Sequence, residues 1–246
     1  MCFQALGACY WHTGDWDKSI NYMQRLLKKS EEVSDVNLLS LAYWSIGRTH
    51  LDKGEWDVGI DYCKKCLDTS PTPLFAVFGL AYLGYGYYKK GELQKAIDYL
   101  EKAIQQCKQF GLKNQEAISS IYLGEAYLSV GESGKALERI KSALEICKQS
   151  GFKHWEGMAY RALGEIHSKA KSNEPKKYIE NSITIFKELG AKNELAKSYL
   201  SLGRLYKEKG EKDKAKKYLT QALHIFEKLG TLHEPEKARK VLKDLG

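Results

Sequence analysis

The sequence predicts an all-α array of six helix-turn-helix repeats followed by one short capping helix. Three observations predict it. A Leu-Gly or Ile-Gly pair returns at Leu6-Gly7, Ile46-Gly47, Leu83-Gly84, Leu123-Gly124, Leu163-Gly164 and Leu202-Gly203, at spacings of 40, 37, 40, 40 and 39 residues. Seven residues after each glycine stands a second mark: Gly14-Asp15, Gly54-Glu55, Gly91-Glu92, Gly131-Glu132 and Gly210-Glu211, with the fifth copy changed to Lys171-Ser172. Apolar residues on both sides of this mark fall at helical spacing. Self-similarity at a fixed period decides the fold class before any local propensity does.

The first helix of each repeat is seen in Leu80, Leu83, Gly84 and Tyr87, or in Tyr199, Leu202, Gly203 and Tyr206. Steps of three and four make one buried stripe, and a glycine within it lets a neighbouring helix approach. The Gly-acid mark is the hinge: glycine takes the left-handed conformation that ends a helix, and the acid suits the positive start of the next. The second stripe follows in Ala96, Tyr99, Leu100, Ala103 and Ile104, or in Ala215, Leu219, Ala222 and Leu223. Second helices should then stop at the C-cap glycines Gly111, Gly151, Gly190 and Gly230, whereas the second repeat ends early at Ser70-Pro71-Thr72-Pro73, which shortens its period to 37.

These residues resemble the tetratricopeptide repeat, most fully in LAYLGYGYYKKGELQKAIDYLEKAI of the third copy. The resemblance runs through the whole chain and implies a single right-handed superhelical solenoid over 1–246, with repeats at about 1–33, 36–72, 74–111, 114–151, 154–190 and 193–230. Segment 234–245 matches only a first helix, with Leu242 at the leucine position and Lys243 in place of glycine, and reads as the polar cap that a solenoid needs. The first repeat has no such cap, so the chain is expected to be the C-terminal part of a longer protein. Repeats of about 40 residues are similar to those of kinesin light chains, LGN-type polarity adaptors, and the tails of bacterial signalling ATPases and nucleotide cyclases. The resemblance implies binding of protein or peptide partners, or relay of a signal.

A length of 246 residues would otherwise suit one or two globular domains. No apolar run suits a membrane span, and MCFQALGACYWHTGDWDKS has no signal-peptide form. Six cysteines, at 2, 9, 63, 66, 107 and 147, are too sparse for a disulfide framework, so a cytoplasmic location is expected. Cys63-Lys-Lys-Cys66 has the C-x-x-C spacing of zinc and redox sites, yet both cysteines fall on buried positions of a second helix, and core packing is the reading. His50 and His167 stand where Tyr10, Tyr87, Tyr127 and Tyr206 stand in other repeats, which suits core rings rather than ligands. No phosphate loop, zinc-protease or nucleophile-elbow motif occurs. No catalytic residue, metal or cofactor is expected, and the chain is read as a non-enzyme.

By the resemblance, first helices line a concave groove through residues three before, one after, and four to five after each Leu-Gly glycine. This nominates Trp11, Trp44, Arg48, Tyr85, Tyr88, Glu125, Arg161 and Arg204 as an exposed peptide-binding groove. Tryptophan, tyrosine and arginine are the types that dominate binding hot spots; the alternative is that some of these aromatics pack between repeats. The resemblance disfavours a clamp for acidic chaperone C-termini, which needs Lys and Asn where Gln4 and Ala8 stand and Asn, Lys and Arg where Arg48, Ala81 and Tyr85 stand, so that only a cation survives, and in the wrong place. The net charge of +8 lies wholly in residues 113–246, which carry 26 Lys/Arg against 18 Asp/Glu, compared with 13 against 13 before them. Lys207, Lys209, Lys212, Lys214, Lys216 and Lys217 cluster around the last hinge, either as a solvated surface or as a patch for an acidic protein, nucleic acid or anionic lipid. The fifth hinge, Lys171-Ser172-Asn173-Glu174-Pro175, is one residue short, with Ser172 or Asn173 as the expected cap. The function expected is a protein-interaction scaffold. The alternatives are a regulatory or sensor tail of a larger signalling protein and, more weakly, nucleic-acid binding through the basic half.

Overall fold

The computed structural model describes residues 2–70, 72–172 and 174–245. Among the described residues thirteen helices run in order: α1 (Cys2–Thr13), α2 (Trp16–Glu32), α3 (Val36–Lys53), α4 (Trp56–Thr69), α5 (Pro73–Lys90), α6 (Leu93–Phe110), α7 (Lys113–Ser129), α8 (Ser133–Gln149), α9 (Lys153–Lys169), α10 (Pro175–Glu188), α11 (Lys192–Glu208), α12 (Lys212–Leu229) and α13 (Glu234–Lys243). The chain divides into two compact units, one of Met1–Trp11 with Asp15–Arg139 and one of His12–Gly14 with Ile140–Gly246. In the first unit α3 packs on α4 and α5 on α6, while α3, α5 and α7 lie side by side. In the second, α9 packs on α10, α11 on α12, and α13 covers α12.

The glycine of the Leu-Gly pair works by close approach. A Cβ on Gly47 would lie 2.7 Å from Cys63 Sγ, and one on Gly203 would lie 2.6 Å from Leu219 Cγ. Both are distances at which atoms overlap, so the two helices of a repeat pack backbone against side chain only because no Cβ is present. The second helix then buries one face: Ala96, Leu100, Ala103 and Cys107 in α6, and Ala215, Leu219, Ala222 and Phe226 in α12.

Hinges end the first helix with a residue at positive φ. Gly91 (φ 82°) caps α5, and the next amide, Glu92 N–H, donates to the Tyr87 carbonyl at 2.9 Å. In the fifth repeat Lys171 keeps this conformation without glycine, at φ 51°. The cap expected of Ser172 is not formed there: its hydroxyl pairs with His167 Nδ1 at 2.8 Å, and Glu174 is the N-cap residue, with no side-chain bond. Asn173, like Pro71 in the second repeat's ending, lies outside the described residues.

Tyrosine use follows from a contact that recurs between the two helices of a repeat. Tyr10 stacks on Tyr22, His50 on Tyr62, Tyr87 on Tyr99 and Tyr206 on Tyr218, with centroids 5.4 to 5.7 Å apart and planes within 11°. Each partner lies twelve residues on. His167 instead stacks on Tyr178, eleven residues on, because its hinge is one residue shorter. In the fourth repeat the partner position is Arg139, whose charge lowers the Tyr127 phenol, although burial and Glu101 still push it up to about 12. Lys18, Lys95, Lys135 and Lys214 each lie 5.2 to 5.3 Å from the ring of the first-helix tyrosine eight residues before them.

Candidate functional site

Within the first unit, α1, α3 and α5 contribute to one polar cluster. Asp52 lies at its centre, on the last turn of α3 and only 8% exposed. One carboxylate oxygen accepts from Trp11 Nε1 at 2.8 Å and the other from the Tyr85 hydroxyl at 2.9 Å, so a single side chain ties three helices together. Hydrogen bonds to an ionised acceptor are the stronger kind, and burial strengthens them further. One turn before Asp52 on the same helix, the Arg48 guanidinium carbon lies 3.8 Å from the centroid of the Trp11 ring and 5.0 Å from that of Trp44. Trp44 in turn stacks on Phe78 at 4.5 Å and on Tyr82 at 5.6 Å, and Tyr85 stacks on Tyr122 at 4.3 Å.

Two donors in this cluster are buried without an acceptor, Arg48 Nε and Trp44 Nε1. Burial pushes the Tyr82 phenol up to about 12, with the Arg48 charge opposing that rise and Asp52 adding to it. Tyr82 is therefore a neutral wall beside the cation.

Polar contacts between the first helices of the second unit are of a different kind. Arg161 on α9 pairs with Glu194 on α11, and Lys197 reaches the other oxygen of Glu194 at 2.6 Å. Burial alone would raise the Glu194 carboxyl, but the charges of Lys197, Arg161 and His154 hold it well below the usual carboxylate range. Ser201 donates to Glu165 at 2.5 Å and Ser168 to Glu208 at 2.6 Å.

The structure corrects the expectation that the nominated groove residues are exposed. Trp11, Arg48, Tyr85, Glu125 and Arg161 are all buried, at 3 to 9% exposure; Trp44 and Tyr88 are half-buried, and Arg204 alone of the eight is exposed. The reason is that adjacent first helices pack tightly enough for their rings and charged groups to interlock. Trp11, Trp44, Arg48 and Tyr85 come together in one cluster. Glu125 stands one turn beyond Tyr122 on α7, and Arg161 and Arg204 belong to the second unit. Sequence reasoning placed Asp52 in the groove register but gave it no role. The available signal was its 41-residue separation from Trp11, one repeat plus one position.

Cys63 and Cys66 are fully buried, and burial drives both thiols up, Cys66 to about 11, so neither is a ready nucleophile or metal ligand. Among the described residues no group of three or more His, Cys, Asp and Glu side chains is gathered as a metal site requires. No described helix is long and apolar enough to cross a membrane. Of the lysines near the last hinge, Lys207 pairs with Asp244 at 2.9 Å, Lys214 pairs with Glu211 at 2.5 Å, and Lys217 lies 5.8 Å from the Tyr218 ring.

Family models described as tetratricopeptide repeat match residues 2–36, 78–149 and 196–228, together more than half of the chain. No curated protein matches the sequence. Among solved structures, a Rap protein complexed with competence and sporulation factor has a TM-score of 0.71 at 16% identity, over 99% of this chain and 73% of that one. The Rap conjugation gene regulator of plasmid pLS20, in complex with a Phr peptide, has a TM-score of 0.69 at 14% identity, over 98% and 72%. A signal transduction ATPase with numerous domains and a tetratricopeptide repeat sensor, from Pyrococcus horikoshii, has a TM-score of 0.66 at 20% identity, over 93% of this chain and 35% of that one. At these identities the likeness is one of fold. With its recurring Leu-Gly contacts, positive-φ hinges and all-helical repeats, the chain belongs to the tetratricopeptide repeat family, and its fold is a helical solenoid of that type.

Proposed function

We propose that the chain is a non-catalytic interaction module that takes a peptide or a partner segment against the first-helix row of its first unit, around Trp44, Arg48, Tyr85 and Tyr88. The observation that carries this reading is the interlocked cluster itself: aromatic and arginine side chains held by Asp52 and by mutual stacking before any ligand arrives. Preorganisation of this kind lowers the ordering cost of binding, and these are the residue types that anchor interfaces. Support also comes from two structures of like fold that are complexes with a peptide or a factor. Glu125 would flank this surface, while Arg161 and Arg204 would contact a partner of the second unit, Arg204 directly and Arg161 by holding Glu194 in place. A cytoplasmic location fits the six unbridged thiols.

The test is selection of peptides from a random display library against the folded chain. Tyr88→Ala, a change at a half-buried ring, should weaken the selected peptides by at least about tenfold, or 1.4 kcal/mol, without altering helicity. Failure to select any peptide, or unchanged affinity in Tyr88→Ala and Trp44→Phe alike, would remove this reading.

A second reading, that of a regulatory or sensor segment of a larger signalling protein, is favoured by the likeness to the sensor of the Pyrococcus horikoshii ATPase. A cyclase, ATPase or DNA-binding module encoded beside this segment would decide for it. Nucleic-acid binding is the weakest reading, since three of the six hinge lysines already serve intramolecular contacts. Affinity for duplex DNA that stays undetectable at low ionic strength would exclude it.

A further inference from the structure

We propose that the groove between α6 and α8 binds a small organic acid, a carboxylate carried on a short apolar body. The five other repeats carry tyrosine at one equivalent second-helix position, Tyr22, Tyr62, Tyr99, Tyr178 and Tyr218, and each of these rings lies against a ring of its first helix. The fourth repeat carries Arg139 there instead. Beside this arginine lies a cavity of about 300 Å³, lined by Glu101, Ile104, Gln105 and Lys108 of α6, Leu123 of α7 and Arg139 of α8, all within the first unit. An extended side chain ending in a cation thus stands where the other repeats place a ring.

The α6 residues recur at helical spacing, so one face of that helix forms a wall of the groove. Ile104 and Leu123 are buried and give an apolar floor; Glu101, Gln105 and Lys108 are exposed at the rim, and Arg139 is half-buried. One oxygen of the Glu101 carboxylate already accepts from the Tyr127 hydroxyl at 2.5 Å. Among the described residues neither Lys108 nor Arg139 forms an ion pair or a side-chain hydrogen bond, and Arg139 acts on the Tyr127 phenol by its charge alone. Two cations without a counter-charge, facing one carboxylate that a phenol engages, favour an anion. The planar guanidinium fork of Arg139 matches the two oxygens of a carboxylate, and Lys108 adds a point charge. The floor selects the rest of the ligand, because a small-molecule site pairs an apolar lining with a few polar groups that fix orientation. A fully polar anion such as phosphate would set unpartnered oxygens against Ile104 and Leu123.

This site does not depend on the peptide reading, and its test uses the full chain without a peptide. Sodium hexanoate, a carboxylate on a short alkyl chain, is titrated into 15N-labelled protein while the Arg139 Nε–H signal and the backbone amides of α6 are followed. Both should shift saturably, with a dissociation constant about tenfold or more below those of hexanamide, which lacks the charge, and of acetate, which lacks the body. Arg139→Gln keeps the space and removes the cation, and should weaken hexanoate about tenfold or more while leaving hexanamide unchanged. Arg139→Tyr, the residue of the other repeats, should keep or raise the melting temperature and abolish the response of the α6 amides. Absence of a saturable shift, acetate or inorganic phosphate binding as tightly as hexanoate, or hexanoate affinity unchanged in both variants would each overturn the inference. So would a shift of these signals by a selected peptide but not by hexanoate, which would make the groove part of a protein interface.

Discussion

The two units place first helices side by side in the same way, yet they satisfy the polar groups between those helices by opposite means. In the second unit two cations of the row share one counter-charge: Arg161 and Lys197 both pair with Glu194. In the first, Asp52 accepts from two neutral donors and Arg48 is held by ring faces. An equivalent register is visible in both, since Trp11→Asp52 and Ser168→Glu208 each join the fourth residue after a Leu-Gly glycine to the fifth after the next. The difference teaches that one backbone geometry can satisfy the polar groups of the row by pairing charges or by setting them against neutral donors and ring faces.

The largest expected effect comes from breaking the second unit's row. Glu194→Ala removes the carboxylate shared by the buried Arg161 and the half-buried Lys197 and should cost about 3–5 kcal/mol in denaturant unfolding, with hydrogen exchange rising first in α9 and α11. Breaking the first unit's row at Asp52→Ala removes two buried acceptor contacts and should cost about 3 kcal/mol. A loss of less than about 1 kcal/mol in either variant would mean that the row does not depend on that side chain.

Acid separates the two rows as well. Because the Glu194 carboxyl is depressed in the folded state, its stabilisation is fully present above its ordinary value of 4.5 and is lost as the pH falls below that toward the folded-state value. Wild-type stability should therefore decline below pH 4.5 more steeply than that of Glu194→Gln. Parallel curves for the two proteins would contradict the assignment.

Much of the architecture was legible in the sequence because it rests on glycine and on period. Gly47 and Gly203 mark where a second helix approaches within van der Waals contact, and Gly91 marks a reversal that needs positive φ. Lys171 shows where that signal stops: the conformation persists without the residue that advertises it. Lys171→Gly should accordingly stabilise the chain by about 0.5–1 kcal/mol, a modest rise in melting temperature. The candidate site was legible in residue type but not in state. Register placed Trp11, Arg48 and Tyr85 on one face, but burial depends on which side chains interlock across repeats, and nothing local to Asp52 announces that its partners stand 41 residues before it and 33 after.

Surface cations give the smallest effect. Lys214 pairs with Glu211 and covers Tyr206, yet its side chain is 60% exposed, and Lys214→Ala should leave the melting curve unchanged within error. A clear destabilisation would show that the lysine-over-tyrosine contacts are structural rather than solvated.

The central claim is that peptide recognition belongs to the first unit's row and not to the second's. Indole N–H signals test it in one titration, because the five tryptophans include Trp11 and Trp44 in the first unit's row and Trp155 in the second unit. On addition of a selected peptide, the signals of Trp11 and Trp44 should move while that of Trp155 stays in place. Movement of Trp155 with Trp11 and Trp44 unchanged would contradict the account.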